Sequence, residues 1–343
     1  MDGHASEEKK SRCILITGAS SGIGYQAALN IINAGHRLIL PCRNEITANK
    51  LSHSLKRQAM NKINFSEKLD TPVIDLSDLN SIERCVSGLR SKGDAIDTLV
   101  LNAGLQYTGA EKPRWSSQGF ELTFAVNHLG HQFLTQQITP LLNKSANPRV
   151  VITASEVHNP KSPGGRIGQP ACVGKIDGLI VGKNNSMIDG ALTFNADKAY
   201  KDSKLCNLLF ARELDRRLKL RGNSMPVITW APGLVIPRSN DSFFRYSRTY
   251  NEFGQYLFSF IARDLLRITE SPEKAGELLM LLATDPKYSN IGFTFFSNKV
   301  IRPGKMLFEK STISDEAHDN QLAQSLWNRS ADLCNISREL NVY

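Results

Sequence analysis

The sequence lacks the features that mark several classes of protein. Its six cysteines form no Cys-x-x-Cys pair and no Cys/His cluster with the spacing of zinc ligands. We therefore expect no metal site, and free thiols in a reducing compartment such as the cytoplasm. No apolar run reaches the length of about 18 residues that suggests a membrane-spanning helix. The N-terminal stretch MDGHASEEKKSR is charged and has no apolar core, so we expect no signal peptide there.

Basic residues are in excess, but they form no run interleaved with aromatic residues. Lysine and arginine number 42 against 33 aspartates and glutamates, which gives a net charge of +9. Nucleic acid is therefore disfavoured as a partner. A phosphate-rich small molecule accounts for part of the excess, and peripheral contact with an anionic membrane stays open for the rest. A homo-oligomer also stays open.

Apolar segments of strand length alternate with helical patterns from Cys13 onward. This alternation predicts one doubly wound parallel sheet with helices on both faces. We expect a single α/β domain over residues 1–343, with a dinucleotide-binding and catalytic core at 12–233. The predicted strands are CILITG, RLILPCR, TPVIDL, TLVLNAG, PRVVITAS and PVITWAPG. The predicted helices cover residues 25–34, 45–60, 78–91, 118–142 and 197–220.

Three regions interrupt or extend this pattern. Residues 156–196 are rich in glycine, proline and asparagine, and we predict an inserted loop there. Residues 238–290 are predicted to form a lid on the substrate side. The aromatic residues within 241–268 fit either packing in the core or an amphipathic interfacial helix, and both interpretations stay open. Residues 310–343 are predicted to form a helical C-terminal extension, with a surface helix over 314–335.

A glycine-rich turn follows the first predicted strand and precedes the first predicted helix. The sequence Thr17-Gly18-Ala19-Ser20-Ser21-Gly22-Ile23-Gly24 lets the backbone turn tightly and approach a pyrophosphate closely. Free N–H groups at the start of the helix then point towards the phosphates. In this context the turn predicts a Rossmann-type dinucleotide site.

Arg43 ends the second predicted strand, where this fold places the adenosine ribose. An acidic residue there would bind a free 2′-hydroxyl, whereas arginine suits a 2′-phosphate, so we predict NADPH/NADP as the cofactor. Asp75 is expected to accept a hydrogen bond from the adenine amine. The predicted cofactor-binding residues are Gly18, Ser20, Ser21, Gly22, Ile23, Gly24, Arg43, Asn44, Asp75, Leu76, Asn102, Ala103, Gly104, Tyr200, Lys204, Pro232 and Gly233.

Tyr200 and Lys204 lie one helical turn apart, so they share a helix face. A free tyrosine has a pKa of about 10, and a neighbouring ammonium group together with a positively charged nicotinamide lowers the pKa. We predict that Tyr200 is a general acid towards an atom that accepts hydride. Ser155, at the end of the fifth strand, is predicted to hydrogen-bond a substrate oxygen, and Asn127 to anchor a water near Lys204.

These motifs resemble the short-chain dehydrogenase/reductase superfamily. TGASSGIG, NAG, Asn127, Ser155 and Tyr200-x-x-x-Lys204 carry the resemblance over residues 12–233. Within the superfamily the chain is similar to the light-dependent protochlorophyllide reductase family, which shares the 45-residue separation of Ser155 from Tyr200. The segments that carry this similarity are GFELTFAVNHLGHQFL, SMIDGALTFNADKAYKDSKLCNLL and SDEAHDNQLAQSLW.

The resemblance implies a specific reaction, the light-driven reduction of the C17–C18 double bond of protochlorophyllide by NADPH in chlorophyll biosynthesis. It implies that Tyr200 and Lys204 hold NADPH and the pigment, and that Cys206 lies near the substrate. It also leaves open a peripheral contact with a photosynthetic membrane. The chain departs from the family at Ala231, Leu234 and Pro237, where the family has Tyr, Cys and Thr. Leu234 is therefore assigned to the substrate side.

These departures leave two alternatives for the function. The intact set of Asn127, Ser155, Tyr200 and Lys204, without the cysteine of the family, fits a light-independent NADPH-dependent reductase of an apolar carbonyl. Retinoid- and steroid-like ketones are examples of such substrates. The altered substrate-side positions also fit a protein that binds pigment or NADPH without catalysis.

Overall fold

The computed structural model describes residues 11–60, 64–182, 185–236, 243 and 245–340, and within them eight strands form one sheet. The strands are β1 (Cys13–Ile16), β2 (Arg37–Ile39), β3 (Leu69–Asp70), β4 (Thr98–Leu101), β5 (Arg149–Thr153), β6 (Val227–Ala231), β7 (Thr294–Arg302) and β8 (Lys305–Lys310). Their order across the sheet is β3-β2-β1-β4-β5-β6-β7-β8, and all neighbours are parallel except β7 and β8. The strand order reverses between β1 and β4, which is where ligands bind in sheets of this kind.

Helices cover both faces of the sheet. They are α1 (Gly22–Asn33), α2 (Glu45–Gln58), α3 (Phe65–Lys68), α4 (Leu79–Lys92), α5 (Leu122–Phe124), α6 (Gly130–Leu142), α7 (Ala196–Leu220), α8 (Arg245–Tyr250), α9 (Glu252–Ser259), α10 (Pro272–Thr284) and α11 (Asn320–Leu333). Two π-helical segments, Ala125–Leu129 and Phe260–Leu265, join α5 to α6 and continue α9. Short 3-10 helices cover Glu156–His158, Pro286–Tyr288 and Glu316–His318.

The continuous apolar sequence of β1 explains why the sheet is covered on both faces. Cys13 and Leu15 point into one buried cluster, together with apolar residues of α4, α6 and α7. Ile14 and Ile16 point into a second cluster, with apolar residues of α1, α2 and α10. Alternate side chains of a strand point to opposite faces, so a strand buried on both sides must be apolar throughout. The predicted α/β fold with a doubly wound parallel sheet is confirmed.

The third strand differs from the prediction. TPVIDL was expected to form it, but β3 is the preceding pair Leu69–Asp70, and beyond it only an isolated bridge joins Val73 to Cys42. Pro72 has no N–H group to donate to the ladder, which fits the break at this point. The predicted helix over 118–142 also begins later, at Leu122, where Glu121 accepts hydrogen bonds from Thr123 and Phe124.

The C-terminal part of the sheet and one core helix were not predicted. β7 and β8 extend the sheet beyond β6, and α10 packs on α1. The two helices cross closely, because a Cβ atom at Gly276 would lie 2.5 Å from Cβ of Gln26. α10 lies within the predicted lid region 238–290, but it belongs to the core. Of the described residues in that region, those that precede α10 are the ones placed to cover a site.

The insertion and the C-terminal extension are both tied to α7. The backbone N–H of Cys172 in the insertion donates to Asp202 of α7 at 2.9 Å, and the N–H of Val173 donates to Glu316 at 2.9 Å. α11 buries Leu326 and Trp327, and the Trp327 ring stacks on Phe210 of α7 with 5.8 Å between centroids. The helix that carries Tyr200 is thus held from two sides.

Candidate active site

A large cavity opens at the carboxyl ends of the parallel strands. Its volume is 1710 Å³, which exceeds the roughly 300–1,000 Å³ of most small-molecule sites. Its walls include residues that directly follow four strands, namely Thr17 after β1, Asn102 after β4, Ala154 after β5 and Pro232 after β6. The cavity is therefore large enough for two ligands side by side.

The glycine-rich turn forms one wall, and two of its glycines have no room for a side chain. Gly18 has a φ of +72°, and a Cβ atom there would lie 2.7 Å from Cα of Ala103. A Cβ atom at Gly24 would lie 2.4 Å from the carbonyl oxygen of Gly18. Asn102 stabilises the turn, because its Nδ2 donates to the Thr17 carbonyl oxygen at 3.2 Å. Because these positions carry no side chain, a pyrophosphate can approach the backbone closely.

The start of α1 offers free N–H groups to an anion. Within the described residues, the Ser21 side chain makes no capping hydrogen bond, and the first turn of α1 carries no acidic residue. The orphan N–H groups of a helix start and the helix dipole both favour a negative charge at that point. Both observations fit a phosphate-bearing cofactor.

A buried hydrogen-bond network fixes the turn to the centre of the site. Thr17 Oγ1 accepts from the N–H groups of Asn102 and Ala103, each at 3.0 Å, and contacts Nε2 of His131 at 2.9 Å. Nδ1 of His131 lies 3.1 Å from the carbonyl oxygen of Asn127, so Nδ1 carries the proton and Nε2 accepts from Thr17. Burial lowers the pKa of His131 to about 4, which keeps the ring neutral and this pattern intact.

Tyr200, Ser155 and Lys204 come together as the sequence predicts. The Tyr200 hydroxyl is hydrogen-bonded to the Ser155 side chain. Nζ of Lys204 lies 5.7 Å from the centroid of the Tyr200 ring and donates to the carbonyl oxygen of Thr153 at 3.1 Å. Phe243 packs edge-on against Tyr200, with 5.5 Å between ring centroids.

The pKa of Tyr200 in the chain without cofactor is raised, and its lowering by Lys204 together with a bound nicotinamide stays a prediction. Burial raises the pKa of Tyr200 above its ordinary value, and the hydrogen bond from Ser155 opposes burial only in part. The nearby carboxylate of Asp197 raises this pKa further. A raised pKa keeps the hydroxyl protonated at neutral pH, which is the state that a proton donor must have.

Asn127 lies behind the cavity wall, and both polar atoms of its side chain are hydrogen-bonded. Its Oδ1 accepts from Leu105 N at 2.8 Å, and its Nδ2 donates to Leu105 O and Ser203 Oγ, each at 3.0 Å. Asn127 sits in the π-helical segment, a geometry that often occurs at functional sites. A Cβ atom at Gly104 would lie 3.4 Å from Oδ1 of Asn127 and 3.5 Å from Nζ of Lys204. The two groups are therefore neighbours, and the water between them stays a prediction.

The structure places the predicted cofactor residues around the cavity, with one exception. All of them line it except Asn44, whose Oδ1 instead accepts from the N–H of Thr47 at 2.9 Å and caps α2. The carboxylate of Asp75 accepts from Ser77 at 2.7 Å, which leaves its second oxygen for another donor. Asn44 is a capping residue because it precedes a helix whose first turn has orphan N–H groups.

The substrate-side predictions divide in the same way. Leu234 lines the cavity, whereas Cys206 is fully buried in the apolar core and does not. Cys206 follows Lys204 by two residues, and two helical residues rotate the side chain by about 200°, to the far face of α7. The placement of Cys206 at the substrate was therefore wrong. Pro237 lies outside the described residues.

Several residues of the cavity wall were missed by sequence reasoning. On the adenosine side they are Thr47, Lys50, Arg245 and Tyr246. On the opposite side polar residues such as Glu156, Lys161 and Asn298 stand beside the apolar residues Val157, Ile167, Val235, Phe243, Phe258, Ile268 and Val300. These residues come from the insertion, from the segment before α10 and from β7, and no local motif marks them. The aromatic clustering within 241–268 was the one available signal.

The aromatic side chains of α9 are exposed, so their packing in a core is ruled out. Phe253 is 77% exposed and Tyr256 71% exposed, and none of the residues of α9 is buried. Among the described residues, no helix has the length and apolarity to cross a bilayer, and no three metal-ligating side chains converge.

The activity is expected to fall as the pH rises through about 8, because burial lowers the pKa of Lys204 to about 8. Above this value the ammonium group loses its proton and no longer favours an anionic neighbour or donates to a ribose hydroxyl. The measurement is kcat/KM against pH for wild type and for Lys219→Gln. Lys219 is also on α7, pairs with Asp215 at 2.7 Å and lies outside the cavity wall, so the variant should keep the same alkaline limb. A flat profile through this pH range would contradict the role given to Lys204.

Comparison with known proteins agrees with this geometry. The short chain dehydrogenase family matches residues 12–166. The chloroplastic protochlorophyllide reductase of Cucumis sativus is 31% identical, over 98% of this chain and 80% of that protein. The enzyme of the same name from Chlamydomonas reinhardtii is 30% identical, over 97% of this chain and 80% of that protein.

Solved structures share the fold. An uncharacterised protein from Mycobacterium paratuberculosis superposes with a TM-score of 0.67 at 23% identity, covering 97% of each chain. The L-sorbose reductase of Gluconobacter frateurii, solved with NADPH and L-sorbose, gives 0.59 at 17% identity, over 87% of this chain and 98% of that one. The chain is an oxidoreductase that belongs to the short-chain dehydrogenase/reductase superfamily and, within it, to the protochlorophyllide reductase family as a divergent member.

Proposed function

We propose that this chain reduces protochlorophyllide to chlorophyllide with NADPH under illumination. The observation that carries the proposal is the extent of the similarity, which spans 98% of the chain at 31% identity, whereas the general family match ends at residue 166. The shared part therefore includes most of the insertion, the segment over the cavity and the C-terminal extension. These parts lie outside the general family match, and the insertion and the segment over the cavity supply many of the wall residues.

The cofactor side fits NADPH. Gly18 and Gly24 leave room for a pyrophosphate, the start of α1 offers N–H groups, and Arg43 lines the adenosine end. When bound, NADPH supplies the hydride that one carbon of the substrate double bond gains. Lys204, whose Nζ points towards the Tyr200 ring, would hold the nicotinamide ribose and orient the ring.

Tyr200 is the proton donor in this proposal. Its hydroxyl is protonated at neutral pH, because burial raises its pKa, and Ser155 holds it in place. The neighbouring carbon of the double bond gains this proton, so that one hydride and one proton together saturate the bond. The apolar side of the cavity, with Leu234 and Phe258, would cover the flat pigment and exclude water. Light absorbed by the pigment supplies the driving energy.

A second candidate is a light-independent reductase of an apolar carbonyl. The closeness of the Ser155 and Tyr200 hydroxyls favours it, because each can turn its proton towards one carbonyl oxygen when a ketone binds between them. Leu234, where the family has a cysteine, also makes the cavity less specific for the pigment.

One experiment separates the two candidates. The purified chain is mixed with NADPH and protochlorophyllide, illuminated, and followed by absorption, while a second series in darkness replaces the pigment with retinoid- and steroid-like ketones. Red-shifted chlorophyllide absorption in the light supports the first proposal. Dark NADPH oxidation with a ketone, and no pigment product, selects the second. Pigment binding without either reaction would overturn both.

We also propose that the exposed face of residues 250–266 contacts an anionic membrane surface. Its apolar side chains are exposed, and the net charge of +9 suits anionic lipid. The exposed residues are Tyr250, Phe253, Tyr256, Leu257, Phe258, Phe260, Ile261, Leu265 and Leu266.

The chain is expected to sediment with anionic phospholipid vesicles, and the double variant Phe253→Asp/Tyr256→Asp should lose most of this binding. Ile46→Asp is the matched control, because Ile46 is also exposed, at 68%, but lies on α2. Equal sedimentation of the wild type and the double variant would contradict the proposal.

A further inference from the structure

The segment over the cavity makes a direct contact with the end of β2. Arg43 Nη1 donates to the hydroxyl of Tyr246 in α8 at 3.3 Å. The guanidinium of Arg245 lies over the Tyr246 ring at 4.6 Å from its centroid, and that of Arg114 lies at 4.7 Å. Arg43, Arg245 and Tyr246 line the same cavity as the glycine-rich turn.

Three guanidinium groups, those of Arg43, Arg114 and Arg245, meet at this contact. In the described part of the chain, none of Arg43, Arg114 and Arg245 forms an ion pair with a carboxylate. Burial raises the pKa of Tyr246, but hydrogen bonds from Arg245 and Arg43 outweigh burial and hold the pKa below its ordinary value. Like charges brought together in this way favour an anion between them.

The neighbouring cavity wall suits a phosphate. Ser20 and Ser21 offer hydroxyl groups from the glycine-rich turn, and Thr47 and Lys50 lie on α2 beside Arg43. Guanidinium groups bind phosphate oxygens through two parallel hydrogen bonds, which makes arginine selective for phosphate geometry. A phosphate on the adenosine ribose would therefore be reached from β2 and from α8 together.

We propose that Arg245 and Tyr246 complete the site for the 2′-phosphate of NADPH, so that this phosphate draws the segment beginning at α8 over the cofactor. The inference rests on the proposed use of NADPH. It adds the residues that bind the phosphate from the segment over the cavity. Arg245 would bind the phosphate directly. Tyr246 would act as a positioning residue, because its hydroxyl orients Arg43 and its ring supports Arg245.

The test compares cofactors that differ only in this phosphate. Dissociation constants of NADPH, NADH and adenosine 2′,5′-bisphosphate are measured for the full chain as wild type, Arg245→Ala and Tyr246→Phe. Arg263→Ala is the matched control, since Arg263 belongs to the same segment but pairs with Asp264 at 2.8 Å and lies outside the cavity.

Arg245→Ala is expected to weaken the binding of NADPH and of adenosine 2′,5′-bisphosphate by about tenfold or more, because one charge-assisted contact is lost. The binding of NADH should weaken by less than about twofold. Tyr246→Phe should give a smaller loss of the same selectivity, and Arg263→Ala no loss. Equal weakening of NADPH and NADH by Arg245→Ala, or wild-type affinities in that variant, would overturn the inference while the NADPH preference of the wild type stands. If the wild type itself binds NADPH and NADH equally, the proposed cofactor is wrong instead.

Discussion

Replacing Tyr200 with phenylalanine is expected to lower turnover by about 10²- to 10⁴-fold, the usual contribution of a positioned general acid. The variant loses the proton donor and the hydrogen bond to Ser155, but the ring still packs against Phe243. NADPH binding should largely survive, because the other residues proposed to hold it, such as Gly18 and Lys204, are unchanged. Turnover is measured with illuminated protochlorophyllide, and NADPH affinity by fluorescence.

Tyr288→Phe is the matched control for this substitution. Tyr288 is buried, lies in a 3-10 helix and does not line the cavity, so its variant should turn over as the wild type does. Wild-type turnover in Tyr200→Phe would show that the proton comes from elsewhere. A loss of turnover in both variants would point to damage to the fold rather than to the chemistry.

Replacing Gly24 with alanine is expected to destabilise the fold by about 1–3 kcal/mol, the usual cost of overpacking a core. The added Cβ atom would lie 2.4 Å from the carbonyl oxygen of Gly18, so the turn must widen. A shift of about 1 Å in the turn would also displace the cofactor and lower turnover by about 10²-fold. Urea unfolding and steady-state kinetics measure the two effects.

Gly88→Ala is the control, since it makes the same substitution in a helix without the collision. Gly88 lies in α4, is exposed, and has nothing within 4 Å of an added Cβ atom. Alanine there should raise the free energy of unfolding by about 0.5–1 kcal/mol. If Gly24→Ala behaves as Gly88→Ala does, the close packing of the turn is not what fixes its sequence.

The sequence predicts the half of the fold that local patterns define. β1 is apolar throughout because it is buried on both faces, and the turn after it carries glycines because side chains would collide with Ala103 and Gly18. These signals are short-range, so they can be recognised without the structure. β7, β8 and α10 were not predicted, although α10 carries the local signals of a helix start, with Ser271 as the cap and Pro272 and Glu273 in the first turn. α10 is also fixed by its close crossing with α1 at Gly276.

The site follows the same division between local and long-range signals. The i, i+4 spacing of Tyr200 and Lys204 places both on one face of α7, and the structure brings them to Ser155. The same helical geometry sends Cys206 into the core, although a likeness between sequences had assigned it to the substrate. Arg245 and Tyr246 reach the adenosine end across more than 200 residues from Arg43, and no spacing rule encodes such a contact.

The pKa of Tyr200 shows what sequence reasoning omits. The lysine and a bound nicotinamide predict a lowered pKa, whereas burial, which depends on the whole fold, raises it in the chain without cofactor. A protonated phenol is the state that the proposed role of proton donor requires.

The most direct test of the proposed reaction uses NADPH deuterated at C4 of the nicotinamide, on both faces of the ring. After illumination with protochlorophyllide, the chlorophyllide formed by the wild type should carry one deuterium by mass spectrometry, and Tyr200→Phe should form almost none of it. Absence of product, or product without deuterium, would contradict hydride transfer from NADPH to the pigment on this chain.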